Sequence, residues 1–239
     1  MTVYRWTNYD QYKSAVTCVR EYYDAVHRCH ELALQQLVPQ KCESALDIAC
    51  GHGESTQILK PFANSIVGVD SSEDLIDIAN SQNEDPAVRY VCSTFADFDA
   101  ADESIDLISA AWYWNHVHTA EDLEAAAVKI ASLLRPGGSV AFVIPGDSFT
   151  SRRIQSIARE DFQWRQAWTH EEREWTEGLF SYDDTWIQTK IWQPFFLMKF
   201  FREWFDLSTW DVKGTLVRED RLSGLVAEPP FEILYGKRR

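Results

Sequence analysis

The sequence is short of positive charge and of long apolar runs. It has 23 Lys and Arg residues against 37 Asp and Glu residues, which gives a formal net charge of −14. Because nucleic-acid-binding proteins take most of their affinity from basic patches, this balance argues against DNA or RNA as a partner, and it also disfavours docking to an anionic membrane. No apolar stretch approaches the roughly 20 residues that span a bilayer, and the first residues lack the apolar core of a signal peptide.

The sequence also lacks paired cysteines. Its five cysteines show neither CxxC pairs nor the spacing of a zinc site. An odd number of this kind is typical of reduced thiols, so we expect a cytoplasmic protein with no metal site. With 239 residues, of which 45% are hydrophobic and 25% are charged, the chain suits one large globular domain.

Strands and helices alternate along the first part of the chain. Hydrophobic periodicity predicts a long helix over residues 10–38, and then five strands separated by helices, at Ser44–Ala49, Ser65–Val69, Val88–Cys92, Ile105–Ala111 and Ser139–Ile144. This alternation implies right-handed βαβ units and a parallel sheet with helices on both faces. Ligands of such sheets bind at the carboxyl ends of the strands.

The composition changes after Pro145. Residues 147–190 are polar, aromatic and charged, without a clear βα repeat, and seven of the ten tryptophans lie between Trp164 and Trp210. We predict a hairpin at Trp175–Tyr182 and Thr185–Trp192, followed by an apolar helix at Phe195–Phe205. Two closing strands are predicted at Leu207–Val212 and Phe231–Tyr235.

A glycine turn follows the first predicted strand, and its sequence is Asp47-Ile48-Ala49-Cys50-Gly51-His52-Gly53-Glu54. Glycines at such a turn let the backbone approach a ligand closely. The turn does not fit the G-x-G-x-x-G pattern of a nicotinamide-dependent oxidoreductase, because Thr56 replaces the third glycine and the flanking acids would repel a phosphate. An acid before the glycines instead suits an ammonium group. Asp70, at the end of the next strand, is placed to accept hydrogen bonds from two ribose hydroxyls.

Five motifs in this order resemble those of the class I S-adenosylmethionine-dependent methyltransferases. They are the acid-and-glycine motif with Ala49 for its first glycine, the ribose acid, the adenine turn, the strand-four motif and the turn before strand five, at residues 47–53, 67–70, 92–95, 105–117 and 134–138. The resemblance covers residues 40–145. It implies a Rossmann-like α/β fold with a seven-stranded, mostly parallel sheet and helices on both faces.

The resemblance also implies how a single methyltransferase domain over residues 1–239 is organised. Residues 1–38 are expected to form an N-terminal helical lid and residues 40–145 the cofactor-binding core. An aromatic-rich insertion after strand five, residues 146–205, is expected to recognise the substrate, and residues 206–239 to add the closing strands.

The cofactor that the resemblance implies is S-adenosyl-L-methionine. Its expected binding residues are Asp47, Ala49, Gly51, Gly53, Asp70, Ser71, Thr94, Phe95, Ala110 and His116. Thr94 stands where many members of the family carry an aspartate that contacts the adenine amino group. The nearby Asp97 is either the replacement for that acid or the cap of a turn.

The implied reaction is an in-line displacement at the sulfonium methyl group, in which the protein chiefly aligns the reacting atoms. Candidates for the catalytic group follow strand four, and they are Asn115, His116 and His118, of which the two histidines are the expected bases. The alternative for His116 is packing under the adenosine or the sheet edge. The Asp/Asn-Pro-Pro-Tyr motif of amino-methylating nucleic-acid enzymes is absent here, which again disfavours a nucleic-acid substrate.

The expected methyl acceptor is a small aromatic or hydrophobic molecule, methylated on oxygen or nitrogen. Its predicted contacts are Tyr113, Trp114, Trp175, Tyr182 and Trp186, whose rings suit a planar ligand or an amine held by cation–π contact. These rings are alternatively the core of a small cap or a dimer contact. Two further hypotheses are a non-catalytic S-adenosylmethionine-binding protein that acts through a partner and a protein or peptide methyltransferase, since an acidic enzyme attracts basic peptides.

Overall fold

The structure is a computed structural model of the chain, and it describes residues 20–156, 164–182, 185–216 and 228–239. Helix α1 spans Arg20–Leu37, so residues 10–19 of the predicted N-terminal helix and the first half of the predicted lid lie outside the described residues. Its buried residues recur at helical spacing, and this apolar stripe packs against the central sheet.

Five parallel strands form the centre of the fold. They are β1 (Cys42–Ile48), β2 (Ala63–Asp70), β3 (Val88–Cys92), β4 (Ile105–Ala111) and β5 (Leu134–Pro145). The helices between them are α2 (Glu54–Ile58), α3 (Glu73–Gln82) and α4 (Ala120–Leu133), and a 3₁₀ helix, Tyr113–His116, follows β4 directly. Strands β3 and β4 have the predicted bounds, because both are short apolar runs between clear turn signals.

The second part of the chain adds antiparallel strands. They are β6 (Trp164–Glu171), β7 (Trp175–Tyr182), β8 (Thr185–Trp192), β9 (Phe205–Thr209) and β10 (Phe231–Arg238), with helices α5 (Pro194–Phe201) and α6 (Val212–Leu216). The predicted hairpin is the pair β7–β8. Strand β6 was not predicted, and it pairs with β7 to complete a three-stranded sheet.

The central sheet has the order β3-β2-β1-β4-β5-β10-β9, with β10 antiparallel to both of its neighbours. The predicted Rossmann-like, mostly parallel α/β fold is therefore confirmed. Strand order reverses between β1 and β4, which is the point where ligands of such sheets bind. The glycine turn after β1, Asp70 after β2 and the 3₁₀ helix after β4 all lie at this edge.

Two apolar layers cover the central sheet. Helix α1 packs on one face with residues of β5 and β10. Helices α4 and α5 pack on the other face around Trp114, Phe142 and Phe201, whose ring centroids lie 5.2–5.4 Å apart. Among the described residues, no helix has the length and hydropathy that crossing a membrane requires.

The three-stranded sheet is attached to the chain that follows β4. Trp192 Nε1 donates to the Val117 carbonyl oxygen at 2.7 Å, and Lys190 Nζ donates to the His118 carbonyl oxygen at 2.9 Å. The Lys190 ammonium group also lies 3.8 Å from the ring centroid of Trp175 and 4.4 Å from that of Trp192. These contacts place β8 beside the 3₁₀ helix, at the ligand-binding edge of the central sheet.

Candidate functional site

The turn after β1 has a backbone that is open to a ligand. Ala49, Gly51 and Gly53 all adopt left-handed dihedrals, with φ values of 58°, 54° and 94°. A Cβ at Gly53 would lie 2.4 Å from the Tyr90 hydroxyl, so this position requires glycine. A Cβ at Gly51 would meet no atom within 4 Å. The space beside Gly51 is therefore free for a ligand to approach the main chain.

Asp47 lies beneath this turn and is fully buried. Ser55 Oγ and Thr56 Oγ1 donate to its Oδ2 at 2.6 Å and 2.7 Å, while its Oδ1 has no partner among the described residues. Burial raises the pKa of the carboxyl to about 6, although the two hydroxyl donors oppose this shift. A buried carboxylate oxygen without a donor is a suitable partner for a ligand's ammonium group.

Asp70 connects the end of β2 to the glycine turn. Its Oδ2 accepts a hydrogen bond from the Gly51 amide at 2.9 Å, and its Oδ1 accepts one from the Ser72 amide at 2.9 Å. Burial raises the pKa of this carboxyl, and the backbone amides oppose the shift. Each oxygen retains a lone pair for a ribose hydroxyl. Ser72 caps α3, whereas the predicted cofactor residue Ser71 is exposed beside it.

The turn after β3 is closed by a reciprocal pair. Thr94 Oγ1 donates to Asp97 Oδ2 at 2.6 Å, and the Asp97 amide donates back to Thr94 Oγ1 at 3.1 Å. Of the two interpretations of Asp97, this geometry supports the turn cap. The Phe95 ring is buried and lies edge-on to Tyr113, with centroids 5.9 Å apart.

Two predicted site residues, Ala110 and Trp114, have side chains in the core, and their contacts with a ligand stay predictions. Trp114 is 1% exposed and packs against Phe142 and Phe201. The Ala110 methyl is fully buried in the same cluster. Both residues alternate with residues that face the other way, and the sequence does not show which face meets the ligand.

The other predicted residues lie at or near the sheet edge. Tyr113 is half-buried, and burial raises its pKa to about 12, so its hydroxyl stays neutral. His116 is exposed at the end of the 3₁₀ helix, and His118 is half-buried. Trp175 contacts Lys190. Tyr182 and Trp186 belong to β7 and β8, but their side chains lie outside the described residues.

Sequence reasoning missed a set of contacts between α1 and the glycine turn. Arg20 lies 2.7 Å from the Glu54 carboxylate, which is also 3.5 Å from His52 Nε2. It also missed Trp112, a non-glycine residue with a φ of 63° directly after β4. Strain of this kind is concentrated at functional sites. Lys190 was also missed, although its place two residues before Trp192 in the predicted hairpin was a signal in the sequence.

A family model described as a methyltransferase domain matches residues 46–142. Residues 46–142 are therefore a methyltransferase domain, and in this segment the chain is similar to the class I S-adenosylmethionine-dependent methyltransferases. The matched segment contains the end of β1, the glycine turn, Asp70 and the 3₁₀ helix. S-adenosylmethionine is accordingly its cofactor, and the residues present fit it: the main chain at Gly51 is open, Asp47 Oδ1 has no partner among the described residues, and Asp70 has free lone pairs.

Relatives and solved structures agree with this assignment. A ubiquinone biosynthesis O-methyltransferase of Coxiella burnetii is 28% identical over 111 residues, covering 46% of each chain. A trans-aconitate 2-methyltransferase of Variovorax paradoxus is 29% identical over 148 residues, covering 59% of this chain and 54% of the relative. The chain thus matches about half the length of these curated relatives. The crystal structure of an S-adenosylmethionine dependent methyltransferase from Mesorhizobium loti has a TM-score of 0.62 at 15% identity, covering 86% of this chain and 96% of that chain.

Proposed function

We propose that this methyltransferase transfers a methyl group from S-adenosylmethionine to the oxygen or nitrogen of a small planar acceptor. One observation carries the proposal. Tyr113 of the 3₁₀ helix and Trp175 of the three-stranded sheet are partly buried near the chain that follows β4, at the same edge of the central sheet as the glycine turn and Asp70. Rings in this position suit a flat, largely apolar molecule.

When bound, the cofactor supplies a methyl group that is already activated by its sulfonium charge. The residues proposed to hold it are Asp47 for the ammonium group, Asp70 for the ribose hydroxyls, and the turn at residues 93–95 for the adenine. The protein's remaining task is to align the acceptor with the methyl group. Such alignment lowers the activation free energy of well-oriented reactions by roughly 7–11 kcal/mol. We propose in addition that α1 is part of a lid, since Arg20 ties it to Glu54 beside the glycine turn.

His116 and His118 are the proposed general bases for an acceptor that must lose a proton. His116 ends the 3₁₀ helix and His118 follows it, and the hydrogen bond from Lys190 to the His118 carbonyl oxygen holds this segment against β8. A positioned base of this kind contributes about 10²–10⁴-fold to a rate. His116→Ala is therefore expected to lower kcat by that factor while cofactor affinity is unchanged. Calorimetry with S-adenosylhomocysteine and steady-state turnover would separate the two effects, and an unchanged kcat would remove His116 as the base.

The relatives support an acceptor of low molecular weight. The names of two of them refer to ubiquinone biosynthesis and to trans-aconitate, and both reactions concern small molecules. The alternative function is methylation of a protein or peptide. It is supported by the net charge of −14, because a negatively charged enzyme attracts basic peptides.

The test is turnover of S-adenosylmethionine with a panel of small acceptors and with basic peptides. Mass spectrometry would detect a product heavier by one CH₂, and S-adenosylhomocysteine would be measured in parallel. Methylation of small planar compounds supports the proposal. Methylation of peptides alone would contradict it, and cofactor binding without any turnover would favour the non-catalytic alternative.

A further inference from the structure

One lysine joins the turn after β3 to helix α4. Lys129 of α4 donates from its Nζ atom to the carbonyl oxygens of Ala96 at 2.8 Å and of Phe98 at 2.5 Å. An ammonium group has three donors, so it can hold two carbonyl oxygens at once. These carbonyls belong to residues 33 and 31 positions earlier in the chain. The two hydrogen bonds are therefore tertiary contacts that fix the orientation of two peptide groups in the turn.

The same ammonium group faces the ring of Phe95. Lys129 Nζ lies 5.2 Å from the ring centroid, which is within the range of a cation–π contact. The ring is buried in the main core cluster and lies edge-on to Tyr113, the first residue of the 3₁₀ helix. Phe95 therefore contacts both α4 and the 3₁₀ helix, and loss of the ammonium group would remove the first of these contacts.

Acidic side chains near the turn favour a cation at position 129. Burial lowers the pKa of Lys129, whereas the negative charges of Asp97 and Asp99 raise it. Both aspartates are exposed, so water screens this attraction in part. The carbonyl oxygens and the acids together favour a positively charged donor at this position. Arginine would also supply such a donor, whereas methionine would not.

The main chain of this turn and the Phe95 ring are the main groups left to recognise an adenine. Thr94 Oγ1 donates its only proton to Asp97 and accepts a hydrogen bond from the Asp97 amide. The Phe95 amide, by contrast, donates to no atom of the described residues. A main-chain donor has no side-chain torsions with which to adjust to a ligand. Its position therefore depends on the contacts that hold the turn.

We infer that Lys129 is a positioning residue for S-adenosylmethionine, and that it holds residues 94–98 in the conformation that receives the adenine. The inference rests on the proposed function, which assigns residues 93–95 to the adenine. It adds a residue of α4 that sets the affinity for the cofactor without being among the residues proposed to touch it. A turn that is ordered beforehand binds more tightly, because the free energy of ordering it is not taken from binding.

Two substitutions of Lys129 test the inference in the whole chain. Lys129→Met keeps the aliphatic stem and removes the charge and the donors, whereas Lys129→Arg keeps the charge and has donors of its own. Calorimetry would measure the binding of S-adenosylhomocysteine and of 5′-methylthioadenosine, which has the adenosine but lacks the amino acid. Lys41→Met, at an exposed residue just before β1 and thus at the opposite edge of the sheet, is the matched control for charge.

Lys129→Met is expected to weaken both ligands by the same factor of about ten. A factor of this size corresponds to a turn that keeps its binding conformation for about a tenth of the time. Lys129→Arg is expected to restore most of the lost affinity, and Lys41→Met to bind both ligands as the wild type does.

Hydrogen exchange would measure the turn directly. The amides of Asp97 and Phe98 both donate to the Thr94 carbonyl oxygen. In Lys129→Met without ligand, these two amides are expected to exchange faster than in the wild type, while the amides of β1 and β5 keep their rates. A general loss of stability would instead speed exchange in the buried strands as well.

Unchanged affinity for S-adenosylhomocysteine in Lys129→Met would overturn the inference, as would unchanged exchange at Asp97 and Phe98. A loss of affinity for S-adenosylhomocysteine alone would also overturn it, because the adenosine is common to both ligands. Losses of the same size in Lys129→Arg or Lys41→Met would do the same, since neither fits a specific contact of a charged donor with the turn.

Failure of the proposed function has different signatures. If the turn does not receive the adenine, S-adenosylhomocysteine would leave the exchange of Asp97 and Phe98 in the wild type unchanged, and the inference would fall with that assignment. Slower exchange on binding, together with unchanged affinity in Lys129→Met, would overturn the inference alone. The acceptor is tested separately, because its methylation is read from turnover.

Discussion

At the scale of single residues, the two carboxylate oxygens of Asp70 serve both the backbone of the turn and the proposed ligand contact. It accepts backbone hydrogen bonds from Gly51 and Ser72, and it is the proposed partner of the ribose. Substitution of this aspartate by alanine would therefore disturb the turn as well as the ligand contact. Asp70→Asn is the sharper variant because it retains one accepting oxygen.

Asp70→Asn is expected to weaken S-adenosylhomocysteine binding by about 10–100-fold, since a hydrogen bond to a charged group contributes about 1.5–3 kcal/mol. Calorimetry would measure the affinity, and circular dichroism would check that the fold is retained. Asp74→Asn, an exposed acid in the first turn of α3, is the matched control. Unchanged affinity in the Asp70 variant would refute its assignment to the ribose.

The buried carboxyl of Asp47 is expected to make the stability of the folded protein depend on pH. Burial raises its pKa from 3.8 to about 6, so between these values the folded protein binds a proton more readily than the unfolded chain. Its contribution to stability is therefore present at low pH and declines as pH rises through that window.

Asp47→Asn removes this decline, because an amide does not titrate and its oxygen can still accept from Ser55 and Thr56. The variant is expected to gain stability relative to the wild type as pH rises from 4 to 6, by about 2 kcal/mol. It is also expected to bind the cofactor more weakly. Urea denaturation at several pH values would measure the gain, and a pH-independent difference would show that the carboxyl titrates normally.

At the scale of elements, the 3₁₀ helix divides its residues between two environments. Trp114 points into the core beside Phe142 and Phe201, whereas His116 is exposed. Trp114→Ala is expected to cost about 3–5 kcal/mol of unfolding free energy, as for other large core side chains.

The milder Trp114→Phe keeps most of the packing, so the KM for the acceptor is expected to stay unchanged. Chemical denaturation would measure the stability of both variants, and steady-state kinetics would measure KM. An altered KM in the phenylalanine variant, with little loss of stability, would place the Trp114 ring in the acceptor site after all.

At the scale of the whole molecule, Lys190 helps to join the three-stranded sheet to the central one. Lys190 is buried, and its ammonium group contacts two indole rings and donates to the His118 carbonyl oxygen. Burial lowers its pKa, but the ring faces and the carbonyl oxygen still favour the charged form.

Lys190→Met keeps the aliphatic stem and removes the charge and the donor. The variant is expected to lose about 2 kcal/mol, since a cation–π contact and a hydrogen bond from a charged group are both lost. Lys237→Met, at an exposed position in β10, is the control. Thermal and urea denaturation would measure the loss, and equal stability of the two variants would show that Lys190 does not hold the sheets together.

How much could be predicted differs between the two halves of the molecule. Strands β3 and β4 and the hairpin β7–β8 had the expected bounds, because short apolar or alternating runs between turn residues are local signals. Strand β6 was missed, since it owes its place to pairing with β7 rather than to its own pattern. Helix α5 ends at Phe201, before the predicted Phe205, which lies instead at the start of β9.

The amino-acid order by itself determined the alternating βα architecture, the glycine turn and the family, because these depend on residues close together in the chain. Tertiary structure alone decided that Trp114 and Ala110 are core residues and that Lys190 lies against the chain that follows β4. The physical reason is that a strand or short helix exposes two faces, and only packing against the other elements selects which of them is buried and which meets a ligand.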